Sequence, residues 1–153
     1  MTSKILTATL ACTLISLPAL AQTTVQGAWV RGTVAQQKAT GAFFQITSAA
    51  GGKLVSASSP AAGVVEIHEM QMDGSTMKMR ALPSLDLPAG KPVDFKPGGY
   101  HIMLMDLKAP LNVGDAVALS LVVQAKDGKT ETIVVKAPVK ALGASGGMSG
   151  HKH

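Results

Sequence analysis

The side chains able to do chemistry here are thioethers and imidazoles, and they are placed unevenly. Leaving aside Met1, six of the remaining seven methionines fall between residues 70 and 105: Met70, Met72, Met77, Met79, Met103 and Met105. The seventh, Met148, lies near the end of the sequence. The histidines divide in the same way, with His68 and His101 in the central window and His151 and His153 at the end. Methionine used only as core filling would be scattered rather than gathered beside every histidine. Thioether sulfur is soft and, among biological metals, best suits Cu(I), which imidazole also binds. Zinc would recruit thiolate or carboxylate, and neither stands in register with these residues. A thioether has no proton to lose and cannot be locked into a disulfide, so such a site can hold Cu(I) in an oxidising place.

Strand geometry would bring these groups together. Alternate residues of a strand share a face, so His68, Met70 and Met72 project together, as do Met77 with Met79 and His101 with Met103 and Met105. The Asp73-Gly74 dipeptide predicts a two-residue hairpin. In that register His68 faces Met79 and Met70 faces Met77, with Cβ atoms roughly 5 Å apart, and Glu69 pairs with Lys78 on the other side. A different loop length would move the pairs by two residues without changing which side chains share the face. The strand at His101 is expected alongside, adding His101 and Met103 to the patch. Two His-x-Met pairs, His68-Glu69-Met70 and His101-Ile102-Met103, together with Met79, exceed what packing alone requires. Met70 and Met77 are expected as auxiliary ligands and Met72 and Met105 as partly core or rim. Glu66, Glu69 and Asp73 read as solvent-facing or turn residues.

Short β-rich runs separated by Gly, Pro and Asp would supply this scaffold. Strands are predicted near Val25–Val30, Gly41–Thr47, Leu54–Ser58, Val64–Met72, Thr76–Leu82, Pro92–Phe95, His101–Leu107, Ala116–Gln124 and Thr130–Lys136. No helical period of useful length follows residue 22. Regular short strands of this kind predict a single all-β antiparallel sandwich or barrel.

The ends read differently. Met1–Ala21 has one basic residue (Lys4), an apolar stretch to about Leu17 and Ala19-Leu20-Ala21 as a small-x-small signal, the pattern of a secretory signal peptide cleaved after Ala21. Thr7, Thr9, Thr13, Ser16 and Pro18 interrupt the stretch, which is too short and too polar to anchor in a membrane. Thr9 stands where a lipoprotein signal would need Leu ahead of Cys12. Cys12, the one cysteine, would leave with the leader, so the mature chain has no thiolate. A domain is expected over residues 22–141. From Leu142 the chain turns to Gly, Ala and Ser and reads as a flexible tail, whose His151, His153 and Met148 offer donors suited to Cu(II).

Several functions are excluded on composition and pattern. A net charge of +5 spread over single lysines gives no basic stripe for nucleic acid. No apolar segment after the leader is long enough for stable membrane insertion. No Ser-His-Asp set, nucleophilic Cys or phosphate-cradling loop suggests an enzyme. A blue-copper electron carrier needs a Cys ligand, which the mature chain lacks.

The spacing also resembles a known family. His68, ten residues, Met79, twenty-one residues and His101-x-Met103 reproduce the H-x10-M-x21-H-x-M pattern of the periplasmic copper chaperones called PCu(A)C. The resemblance extends through Ala28-Trp29-Val30-Arg31, Lys38-Ala39-Thr40-Gly41-Ala42-Phe43, Val65-Glu66-Ile67-His68-Glu69-Met70, Met77-Lys78-Met79-Arg80, Leu87-Pro88-Ala89-Gly90 and Lys96-Pro97-Gly98-Gly99-Tyr100-His101. It implies a cupredoxin-like Greek-key fold and Cu(I) bound near the surface by His68, Met79, His101 and Met103. It further implies a periplasmic protein that delivers copper to respiratory oxidases, typically cytochrome c oxidase subunit II, alongside other copper chaperones. Some members of that family carry a His- and Met-rich extension that binds Cu(II), which the tail resembles. A copper storage or resistance protein, loading several equivalents across the Met patch and tail, is the competing expectation.

Overall fold

The computed structural model describes residues 23–141. The leader over 1–21 with its cleavage point, and the tail over 142–153 with Met148, His151 and His153, lie outside the described residues. The described chain is all-β: β1 (Thr23–Arg31), β2 (Ala39–Ser48), β3 (Gly52–Ser58), β4 (Ala62–Asp73), β5 (Thr76–Leu82), β6 (Leu85–Leu87), β7 (Val93–Phe95), β8 (His101–Leu107), β9 (Ala116–Gln124) and β10 (Thr130–Lys140). Hydrogen bonding orders them β5-β4-β8-β2-β1-β10-β9-β3-β6, with β7 beside β2. The path does not close on itself, so the architecture is an open sandwich rather than a barrel.

Every strand pairing is antiparallel except one. β1 and β10 run parallel through Val30↔Val139 and Arg31↔Lys140, the exception in the expected antiparallel architecture. This contact joins the first strand to the last, and no local sequence pattern reports so distant a pairing. β10 also continues through Pro138 to Lys140, past the predicted end at Lys136, and β6 was hidden by its three-residue length.

Alternation builds the core. In β9, Val117, Leu119, Leu121 and Val123 point inward, and in β8, Ile102 and Leu104 do the same. They meet Val30, Ala42, Phe44, Ile46, Ile67, Leu54 and Val139 in one cluster fed by both halves of the sandwich. Because Ile67 and Ile102 face in, their neighbours His68, His101 and Met103 must face out. The same burial that holds the sheet together therefore turns the donor groups to its outer face, where His101 is itself only 7% exposed.

The hairpin between β4 and β5 turns one residue later than predicted, which moves every cross-strand partner by two. Asp73 pairs with Thr76, leaving Gly74-Ser75 as the loop. Gly74 takes φ 65° while Ser75 does not adopt positive φ, the pattern of a II′ turn with glycine at its first central position. An Asp73-Gly74 loop of type I′ would instead force Asp73 to positive φ. The rungs consequently become Met70↔Met79 and Met72↔Met77, and Ala81 rather than Met79 stands opposite His68. Glu69 pairs with Arg80, whose Nε donates at 3.1 Å, and Lys78 pairs with Asp73, in place of the expected Glu69–Lys78 pair.

Candidate metal centre

Three adjacent strands position the donors. β8 lies between β2 and β4, and His68 stands directly across from His101 in the β4–β8 ladder. Their rings meet edge to face with centroids 5.6 Å apart. Met103 follows two residues along β8, on the same face, opposite Glu66 of β4 and Gly41 of β2. From the outer strand β5, Met79 extends over β4 and sets its Sδ 3.2 Å from Nε2 of His101. A groove of about 330 Å³ runs along this face, and Met70, Met79, His101 and Met103 line it together with Arg31 and Phe43. Of the predicted set, Met79, His101 and Met103 line this groove, and His68 joins them through its ring contact with His101 rather than as part of the lining. Larger grooves lie elsewhere, one lined by Lys53, Asp86 and Lys126 and one by Trp29, Lys96 and Lys140, but neither gathers imidazole or sulfur.

Proton placement at the two imidazoles follows from their partners. The carbonyl of Gly99 can only accept, so Nδ1–H of His101 donates to it at 3.2 Å. In the neutral ring this leaves Nε2 with a bare lone pair, aimed at a sulfur that likewise carries only lone pairs. Two acceptors facing each other at 3.2 Å with no proton between them suit a cation, not a hydrogen bond. Burial is the main reason the His101 pKa is lowered below the ordinary imidazole value, opposed by the Gly99 carbonyl and reinforced by His68 and Arg31. His101 therefore stays neutral at physiological pH, the form in which imidazole binds a metal.

At His68 the roles of the nitrogens are reversed. Nε2 lies 2.7 Å from Oε2 of Glu66, and an ionised carboxylate only accepts, so Nε2 carries the proton. Nδ1 is left as a buried nitrogen with no hydrogen-bond partner, a cost that coordination to an ion would remove. Glu66 is exposed, as expected, and it also shares the outer face of β4 with His68 and orients the ring. Its position two residues before His68 was the available signal, because residues so spaced share a face. Carboxylate partners of this kind fix the tautomer and raise the basicity of a ligating histidine. Glu66→Ala is expected to weaken Cu(I) binding roughly 10–100-fold, and Glu66→Gln, which keeps an acceptor oxygen, by less. Competition against a Cu(I) chelator measures both.

Arg31 was also missed as a neighbour of the site. Its guanidinium lies over the Phe43 ring at 5.4 Å, and Phe43 in turn approaches His101 with ring centroids 6.4 Å apart. A fixed positive charge beside the donors disfavours a divalent ion more than a monovalent one. Among the described residues no three His, Cys, Asp or Glu side chains gather around a point that could hold a metal. Methionine sulfur is the donor that stands beside the two imidazoles here. Met72 and Met77 lie farther along the hairpin, 60% and 44% exposed, with Met79 at 49%. Met72, expected as partly core or rim, is thus exposed.

Known proteins are similar to this chain in sequence and fold. Residues 23–139 match the family described as "Putative lipoprotein LpqE-like". The chain is 36% identical over 137 residues to "Putative lipoprotein Lxx21020" of Leifsonia xyli, covering 82% of this chain and 79% of that protein. Among solved structures, CuI-DR1885 from Deinococcus radiodurans is 32% identical with a TM-score of 0.58, and the match covers 80% of each chain. The copper-bound PCuAC domain from PmoF2 shares the fold at a TM-score of 0.65 and 21% identity, covering 81% of this chain and 97% of that one. The chain belongs to the LpqE-like family and is built on the PCuAC fold.

Proposed function

We propose that this protein is an exported copper metallochaperone that carries one Cu(I) between His68, Met79, His101 and Met103. The observation that carries this reading is the bare Nε2 of His101 set 3.2 Å from the Met79 sulfur on an open face of the sheet. Two nitrogens and two thioethers form a neutral, soft donor set that prefers a monovalent ion. The names of its structural neighbours, a copper-bound PCuAC domain and a Cu(I) form of DR1885, support copper as the cargo. The protein catalyses no covalent step: copper leaves by stepwise replacement of these ligands with those of an acceptor, which the outward position of the site permits.

The leader read over Met1–Ala21, and the lipoprotein names of its relatives, support export, and we place the protein in the periplasm. The acceptor we favour is the copper centre of a respiratory oxidase, cytochrome c oxidase subunit II or a similar subunit, served together with other copper chaperones. Met148, His151 and His153 are proposed as a separate Cu(II) site. The exposed Met72 and Met77 favour one second reading, a store that holds several equivalents.

X-ray absorption of the Cu(I)-loaded protein, with and without residues 143–153, tests these readings. A single tightly held ion with mixed nitrogen and sulfur neighbours, unchanged by removal of the tail, is expected. An all-nitrogen or all-oxygen shell would overturn the assignment, and four or more equivalents of similar affinity would favour storage.

A further inference from the structure

The β4–β5 hairpin carries two successive methionine rungs on the face that bears His68. Met70 stands opposite Met79, and Met72 opposite Met77 at the tip. The inner rung reaches the copper site through the Met79 sulfur beside His101. Nothing in the sandwich core uses the outer rung: Met72 is 60% exposed and Met77 44%, and unlike the similarly exposed Met79 neither meets an imidazole among the described residues. The opposite face of the tip is polar, with Asp73 paired to Lys78 and Glu69 to Arg80. Two flexible apolar side chains standing in water at the end of a charged hairpin gain little from packing. Their sulfur is the property that distinguishes them from the leucine or valine a hairpin could equally carry.

We infer that Met72 and Met77 form a two-thioether transit site through which Cu(I) enters and leaves the main site, an inference that rests on the copper reading above. Directly opposed residues hold their Cβ atoms roughly 4.5–5.5 Å apart, and each methionine has three rotatable bonds, so both sulfurs can close on one soft ion. Successive rungs lie roughly 6.8 Å apart along the strands, a gap that side chains of this length bridge. The ion advances by ligand exchange: a bond to Met70 or Met79 forms as one to Met72 or Met77 breaks. No electron moves, and thioethers have no proton to release. Two sulfurs hold Cu(I) more weakly than two sulfurs and two imidazoles, so the ion rests at the inner site and only passes the outer one. β5 is the edge strand of the sheet, which leaves the transit rung open to an approaching acceptor.

The test separates rate from affinity. The Met72→Leu/Met77→Leu double variant keeps apolar bulk at both positions and removes only sulfur. Competition with bicinchoninate reads the equilibrium affinity of the main site, and stopped-flow transfer of Cu(I) to bathocuproine disulfonate reads the exit rate. The variant is expected to hold Cu(I) as tightly as the parent, within about twofold, while releasing it and acquiring it about tenfold more slowly. Transfer rates within threefold of the parent overturn the inference. So does an equal loss of affinity, which would place these sulfurs in the resting site. Absence of tight Cu(I) binding in the parent protein would instead defeat the proposed function itself.

Discussion

Replacing Met103 by leucine is expected to reduce Cu(I) affinity by roughly two orders of magnitude while leaving the fold intact. Leucine preserves volume and hydrophobicity, and swaps of this kind usually cost under about 1.5 kcal/mol in stability. Affinity has no such protection, because the sulfur is the donor. Structural zinc sites of four protein ligands bind with roughly 10–16 kcal/mol in apparent free energy; on that scale one ligand accounts for about 3 kcal/mol, or roughly a hundredfold in affinity. His101→Ala should cost more than Met103→Leu. His101 meets the Met79 sulfur, the His68 ring and the Gly99 carbonyl at once, so its removal takes away a ligand and also the group against which two others are set. His68→Ala should fall between them, since it also strips Glu66 of its partner. Chelator competition on the three variants gives the order directly. Equal and small losses at all three positions would mean that copper is held elsewhere in the chain.

The candidate site was legible in the sequence to an unusual depth because its logic depends on parity alone. Alternation sets His68 with Met70 and Met72, and His101 with Met103, whichever register the hairpin adopts. The one-residue shift of the loop from Asp73-Gly74 to Gly74-Ser75 therefore moved every cross-strand partner by two yet left every donor on its face. What could not be read was set by geometry beyond the strand itself. Turn type hinges on which residue takes positive φ, and Asp-Gly and Gly-Ser are both acceptable hairpin loops. The parallel pairing of β1 with β10 follows from chain closure rather than local pattern. Met79 reaches His101 across an intervening strand instead of sitting opposite His68, a consequence of side-chain length that no pairing rule contains. Glu66 was within reach of the same parity argument and was passed over because a lone carboxylate two residues from a histidine is usually solvated.

The strand that presents the ligands also holds the core, and Ile102→Ala should expose that dependence. Ile102 lies between His101 and Met103, is fully buried, and packs in the cluster with Ile67, Ala42 and Leu104. Truncating a buried isoleucine to alanine costs about 2–5 kcal/mol through lost transfer energy and the cavity left behind, a large share of the roughly 5–15 kcal/mol that stabilises a domain. Ile102→Val, one methylene smaller, should cost about 0.5–1.5 kcal/mol. Urea unfolding of the copper-free protein measures both, with an unchanged dependence on denaturant if only the native packing is affected. Neither substitution touches a donor atom, yet Ile102→Ala should also weaken Cu(I) binding, because it loosens the backbone that spaces His101 from Met103. Copper should in turn restore stability to the variant in proportion to how far its concentration exceeds the dissociation constant. If Ile102→Ala unfolded no more easily than the parent, the inward half of β8 would not be the support assigned to it. The outward placement of His101 and Met103 would then need another cause.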